Sequence, residues 1–84
     1  MTLDQQPIDQ KVRIVAVDWD QLVPEEARRL RALGVDTGAQ VSVSQRGVFG
    51  GRDPIALRIG RMVVAVRRAH AAAIEVSDLE STPA

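Results

Sequence analysis

The chain has no cysteine and no tyrosine, a single histidine, a single lysine and only two aromatic residues, Trp19 and Phe49, among its 84 residues. Without cysteine there are no disulfides, no thiolate zinc sites and no cysteine nucleophile, which suits a reducing cytosol. A transition-metal site prefers several His or Cys ligands, and His70 alone reads as a surface or packing residue on an alanine-rich turn. No metal-ligand set can be assigned, and no cofactor is expected. Long hydrophobic runs are also missing. The longest is Met62–Val66, far short of the ~20 residues that span a bilayer. The N-terminus lacks a basic region followed by an apolar stretch, so no signal peptide is expected. The expectation is a soluble protein that meets a membrane only through a partner.

Catalytic patterns are absent as well. There is no GxxxxGK[ST], so Gly47 to Arg52 is not a phosphate loop of that kind. Thr37, Ser42 and Ser44 have no evident base beside them. Asp18 and Asp20 could hold a hard cation only weakly, and Glu25 and Glu26 are better explained as helix starters. The chain is therefore read as a non-enzyme.

What is present is charge, aliphatic residues and turn chemistry. Eleven basic and eleven acidic residues cancel, and ten of the basic ones are arginine. Between Arg46 and Arg68 stand six arginines and only Asp53, a local net of +5. Such a segment is either a set of solvated strand and turn positions or a patch for an acidic partner. Zero net charge and few aromatics argue against nucleic acid.

The best-specified local structure is Arg28 to Val43. Leu30 and Leu33, three apart, can face one core, and both are expected to plug it. Pro24 suits the first position of a helix running to about Leu33, with Glu25 and Glu26 at its positive end and Arg28, Arg29 and Arg31 toward its negative end. Gly34 falls just past that helix, where a left-handed residue is wanted. Gly38 supplies the positive φ of a type II turn over Asp36–Ala39. Val41 and Val43 then alternate with polar residues, as in a half-buried strand. Upstream, Lys11 to Asp18 predicts a first strand, apolar on both faces near its end and so largely buried. Downstream, Ile55, Leu57 and Ile59 alternate with Ala56 and Arg58. Gly60-Arg61 fits a two-residue II′ hairpin to Met62–Val66. A helical turn over Arg67–Ala73 and a short strand over Ile74–Val76 complete the domain. Residues 1–10 read as a lead-in, 11–76 as the domain and 77–84 as a disordered tail. The class is mainly β: about five short strands with tight turns in a closed or nearly closed barrel, one short helix between strands 1 and 2, and a helical turn before the last strand.

The blocks Arg29-Leu30…Leu33-Gly34-Val35…Gly38…Val41-Ser42-Val43, Gly51-Arg52-Asp53-Pro54-Ile55-Ala56-Leu57-Arg58-Ile59, Val64-Ala65-Val66-Arg67 and Ala72-Ala73-Ile74-Glu75-Val76 resemble the ferrous iron transport protein A (FeoA) family. The resemblance runs from about Lys11 to Val76. It implies an SH3-like barrel, a module also found at the C-terminus of some iron-dependent repressors. It further implies a small cytosolic accessory of a membrane ferrous iron transporter that carries a cytosolic GTPase domain. Such a protein would be cytoplasmic and peripheral at the inner membrane through that partner. Two departures stand out. The family opens Leu-x-x-Leu-x-x-Gly, where this chain has Leu3, Gln6 and Asp9, with Ile8 a candidate replacement for the second leucine. The turn glycine is usually preceded by proline, where this chain has Thr37. The family offers no catalytic position to carry over.

Trp19 and Phe49 both fall in expected loops. Tryptophan, phenylalanine and arginine anchor protein interfaces, while the alternative is that each ring caps one end of a small barrel. With the resemblance in view, the expected partner-binding residues are Trp19, Leu22, Arg46, Val48, Phe49 and Arg52. A rival reading is an SH3-like module in iron-dependent regulation that self-associates into a homo-oligomer through an edge strand or the Val48-Phe49 loop. A proline-rich ligand groove needs more aromatics than two.

Overall fold

A computed structural model of the chain describes residues 1–46 and 53–79. Five antiparallel strands form one sheet: β1 (Val12–Val17), β2 (Gln40–Arg46), β3 (Ile55–Ile59), β4 (Met62–Val66) and β5 (Ile74–Asp78), in the spatial order β4-β3-β2-β1-β5. Helix α1 (Pro24–Ala32) joins β1 to β2, and the short α2 (Arg68–Ala71) joins β4 to β5. The mainly β barrel reading and the order of elements both hold.

Two bulges bend the sheet. Against β5 the β1 register slips between Ile14 and Ala16, which leaves Val15 as the extra residue. Against β3 the β2 register slips between Val43 and Gln45, and Ser44 is the extra residue. A bulge increases local twist and turns a flat ribbon toward a barrel. It also corrects the reading of β1 as buried on both faces. Val12 and Ile14 are buried, but past the bulge Val15 and Ala16 are both exposed. Val17 then returns toward the core as the partner of Ile74.

The turn chemistry is built as its residues require. Helix α1 ends in a Schellman motif: the Gly34 N–H donates to Arg31 O (3.0 Å) and the Val35 N–H to Leu30 O (2.8 Å). Gly34 has φ +93°, and the hydrophobic pair that accompanies this motif is Leu30 with Val35, both fully buried. This corrects the expected plug. Leu33, as the helix cap, is only half-buried and lies outside the core, and Val35 takes its place because the left-handed residue reverses the chain beneath the helix. In the following turn Gly38 has φ +95°, and the Ala39 N–H donates to Asp36 O at 3.1 Å. The Thr37 N–H donates to Asp36 Oδ1 at 2.7 Å, a bond that proline at this position could not make. The turn docks on β1, with Ile14 N–H donating to Ala39 O and Gly38 N–H to Ile14 O.

Residues 1–9 are more than a lead-in. Leu3 is fully buried in a 3-10 turn (Leu3–Gln5), and Gln6 is 4% exposed. Asp9 holds a left-handed φ of 62° at the place where the resemblance leads one to expect glycine, and its N–H donates to Val43 O at 2.8 Å. Asp is among the non-glycine residues best suited to that conformation. Ile8 does not replace the missing leucine in the core, because it is 53% exposed; the buried Gln6 itself occupies that place. At the other end β5 continues to Asp78, two residues past the expected stop.

Leu30→Ala is expected to cost roughly 2–5 kcal/mol in urea unfolding, as a fully buried leucine does. Leu33→Ala is expected to cost about 1 kcal/mol. Equal losses for the two would contradict the placement of Leu33 at the rim.

Candidate interaction surface

Helix α1 lies so that its acidic first turn and basic last turn both reach the β3–β4 side of the barrel. Glu26 and Arg29, one turn apart, form an ion pair, with Nη2 2.6 Å and Nε 2.7 Å from Oε1. Arg29 Nη2 also donates to Ala65 O of β4 at 3.0 Å. One side chain thus ties the helix to the sheet. His70 of α2 approaches from the third side, its Nδ1 3.6 Å from Glu26 Oε2 and without a hydrogen-bond partner among the described residues. Asp53 accepts the Arg68 N–H at 2.8 Å and so caps α2, although it is remote in sequence. A capping carboxylate satisfies a first-turn amide that the helix itself cannot.

These groups enclose a cleft of about 570 Å³ lined by Glu26, Arg29, Asp53, Pro54, Ala65 and Arg67. It alternates carboxylates with guanidinium groups over a small apolar floor. Such a lining suits polar contact with another protein. Among the described residues no three His, Cys, Asp or Glu side chains come together to hold a metal ion. Sequence reasoning placed Glu26 as a helix starter only. The spacing of Glu26 and Arg29 signals their pairing, but nothing local signals that Asp53 would join them.

The expected partner-binding residues divide. Leu22 is a correction: it is 6% exposed and belongs to the core. A 3-10 turn over Trp19–Gln21, closed by the Leu22 N–H on Trp19 O, points its side chain inward. Trp19 is half-buried and packs against that core, with the Arg31 guanidinium 4.2 Å from its ring centroid. One ring thus spans the barrel wall and a cation, an arrangement worth about 0.5–1 kcal/mol at an exposed site. Arg46 ends β2 and pairs with Ile55. Val48, Phe49 and Arg52 lie outside the described residues. The described residues that flank them are Arg46, paired with Ile55 at the start of β3, and Asp53, which lines the cleft, so both flanks stand at the cleft end of the barrel.

With this architecture in place, the comparisons are specific. The FeoA domain model matches residues 1–78, and the chain belongs to the FeoA family. FeoA from Chlorobium tepidum shares 29% identity with it at a TM-score of 0.79, covering 94% of this chain and 70% of that one. Iron(II) transport protein A from Clostridium thermocellum shares 25% at 0.78, and there the match covers 95% of this chain but 46% of the other. FeoA from Stenotrophomonas maltophilia shares 30% at 0.72, covering 92% and 89%. That protein is complexed with zinc and is described as a prokaryotic SH3 domain protein suggested as a ferrous iron transport activating factor. The barrel of the present chain is accordingly SH3-like. No curated protein matches the chain. Among the described residues no helix is long and apolar enough to cross a membrane.

Asp53→Ala is expected to lower stability by about 1 kcal/mol through loss of the α2 cap. Amide exchange should quicken at Arg68 and not at Val12 or Ile14. Unchanged exchange at Arg68 would remove Asp53 as the cap.

Proposed function

We propose that the chain is a small cytoplasmic accessory protein of a ferrous iron transporter, and that it modulates uptake by binding the cytosolic part of a GTPase-containing membrane permease. Membership of the FeoA family over residues 1–78 is the observation that supports this most strongly. The charged cleft beside the loop stems offers a surface for a protein partner. In this reading the working surface is the loop bearing Val48, Phe49 and Arg52, with Arg46 at its stem and the cleft alongside. Trp19 contributes its outer edge, and Leu22 supports it from the core. No metal is assigned to this chain.

The test is capture of the transporter's cytosolic domain by wild type and by Phe49→Ala. A central aromatic anchor costs about 2 kcal/mol on truncation, or roughly 30-fold in Kd. No binding by the wild-type protein would overturn the reading. Equal binding by both would overturn only the role of Phe49.

A further inference from the structure

The two edges of the sheet are treated differently. Outside β5 the N-terminal segment covers the edge: Thr2 bridges to Glu75, and the Val76 N–H donates to Met1 O at 2.8 Å. Outside β4 no strand is paired among the described residues. An uncovered edge is a template for another strand.

The register shows which groups that edge offers. Gly60-Arg61 closes a two-residue hairpin, so the flanking pair Ile59↔Met62 is hydrogen-bonded. Alternation then makes Arg58↔Val63 and Ala56↔Ala65 the non-bonded pairs, with the Val63 and Ala65 amides and carbonyls pointing away from β3. The Arg29 bond to Ala65 O confirms this direction. The Val63 N–H, the Val63 carbonyl and the Ala65 N–H have no partner among the described residues. Beside them Met62 and Val63 are 45% and 57% exposed.

Charge selects the occupant. Arg58 stands across from Val63, Arg61 sits in the hairpin and Arg67 follows β4, and all three are exposed. The neighbouring carboxylates are engaged, Glu26 with Arg29 and Asp53 with the Arg68 amide. A second copy paired antiparallel on this edge would gather both sets of three arginines, which like-charge repulsion opposes. An extended segment with apolar residues for Met62 and Val63 and acidic residues for the arginines meets both requirements.

We propose that the free edge of β4 takes an acid-flanked, extended segment of a partner protein as a sixth strand, hydrogen-bonded to Val63 and Ala65. This edge reaches Ala65, which also lines the cleft, and the proposal does not depend on Phe49.

The probe is a fluorescein-labelled peptide Glu-Thr-Val-Thr-Val-Thr-Glu, with a Lys-ended version as its counterpart. Anisotropy gives affinity, and hydrogen exchange by NMR locates the contact on the wild-type chain. The expected result is slowed exchange at Val63 and Ala65. The Lys-ended peptide should bind about fivefold more weakly, because exposed ion pairs are each worth only fractions of a kcal/mol to one. Ala65→Pro, which removes an outward N–H from an edge strand, should weaken binding about tenfold. Absence of binding, unaltered exchange at both amides under bound peptide, or equal affinity for the two peptides would overturn the proposal. So would slowed exchange at the same amides on raising protein concentration alone, which would assign the edge to a second copy. If Ala65→Pro does not fold, the exchange measurement on the wild type decides. A negative result here leaves capture of the transporter domain untouched, because that experiment varies Phe49.

Discussion

The structure depends on how helix α1 stops. Its last turn must end over the barrel, and the chain must then drop beneath the helix to begin β2. The Schellman bonds from Gly34 and Val35 do this, and they bring Leu30 and Val35 into one buried pair. A side chain at Gly34 would be strained by the backbone, not by its neighbours. Its φ of +93° is one that L-residues rarely adopt, whereas its Cβ would stand 3.5 Å from Ile59 Cδ1, an ordinary contact. Once the reversal is fixed, the Asp36–Ala39 turn meets Ile14, and the β1–β2 register follows from it. A nine-residue helix would not persist in water by itself. It is the burial of Leu30 against the sheet that holds it.

That docked helix also determines the exterior. Arg29 reaches Ala65 O only because α1 lies along the β4 side, and the same placement brings Glu26 to His70 and opens the cleft. The barrel therefore presents two neighbouring surfaces of different character. The cleft and loop stems carry both signs of charge. The β4 edge is basic at its ends and apolar at its centre; Arg29 holds its Ala65 carbonyl, and the Val63 N–H, Val63 carbonyl and Ala65 N–H have no partner among the described residues. Small SH3-like domains have little core to spare, so recognition falls to loops and edges, where exposed groups cost little stability.

Much of the fold was legible. Hydrophobic spacing gave α1 and β3, and Gly34, Gly38 and Gly60 stood where the turns demanded them. The family resemblance rested on the same positions. The candidate surface was far less legible. Leu22 was counted as contact surface because it follows Trp19 in an expected loop, yet a 3-10 turn buries it. Leu33 was counted as core from its spacing, which does not register that the helix has already ended. Leu3 and Gln6 were left outside the domain, because a single buried leucine in a polar stretch carries no periodic signal.

The sequence by itself determined the strand and helix order, the turn types and the family, because these follow from local spacing and from residues with restricted backbone geometry. Only the tertiary structure decided which side chains are buried at the rims, where the bulges at Val15 and Ser44 fall, that Asp53 caps a helix fifteen residues away, and which sheet edge has no paired strand among the described residues. Each of these depends on contacts between segments remote in the chain, and no local pattern encodes the distance across a barrel.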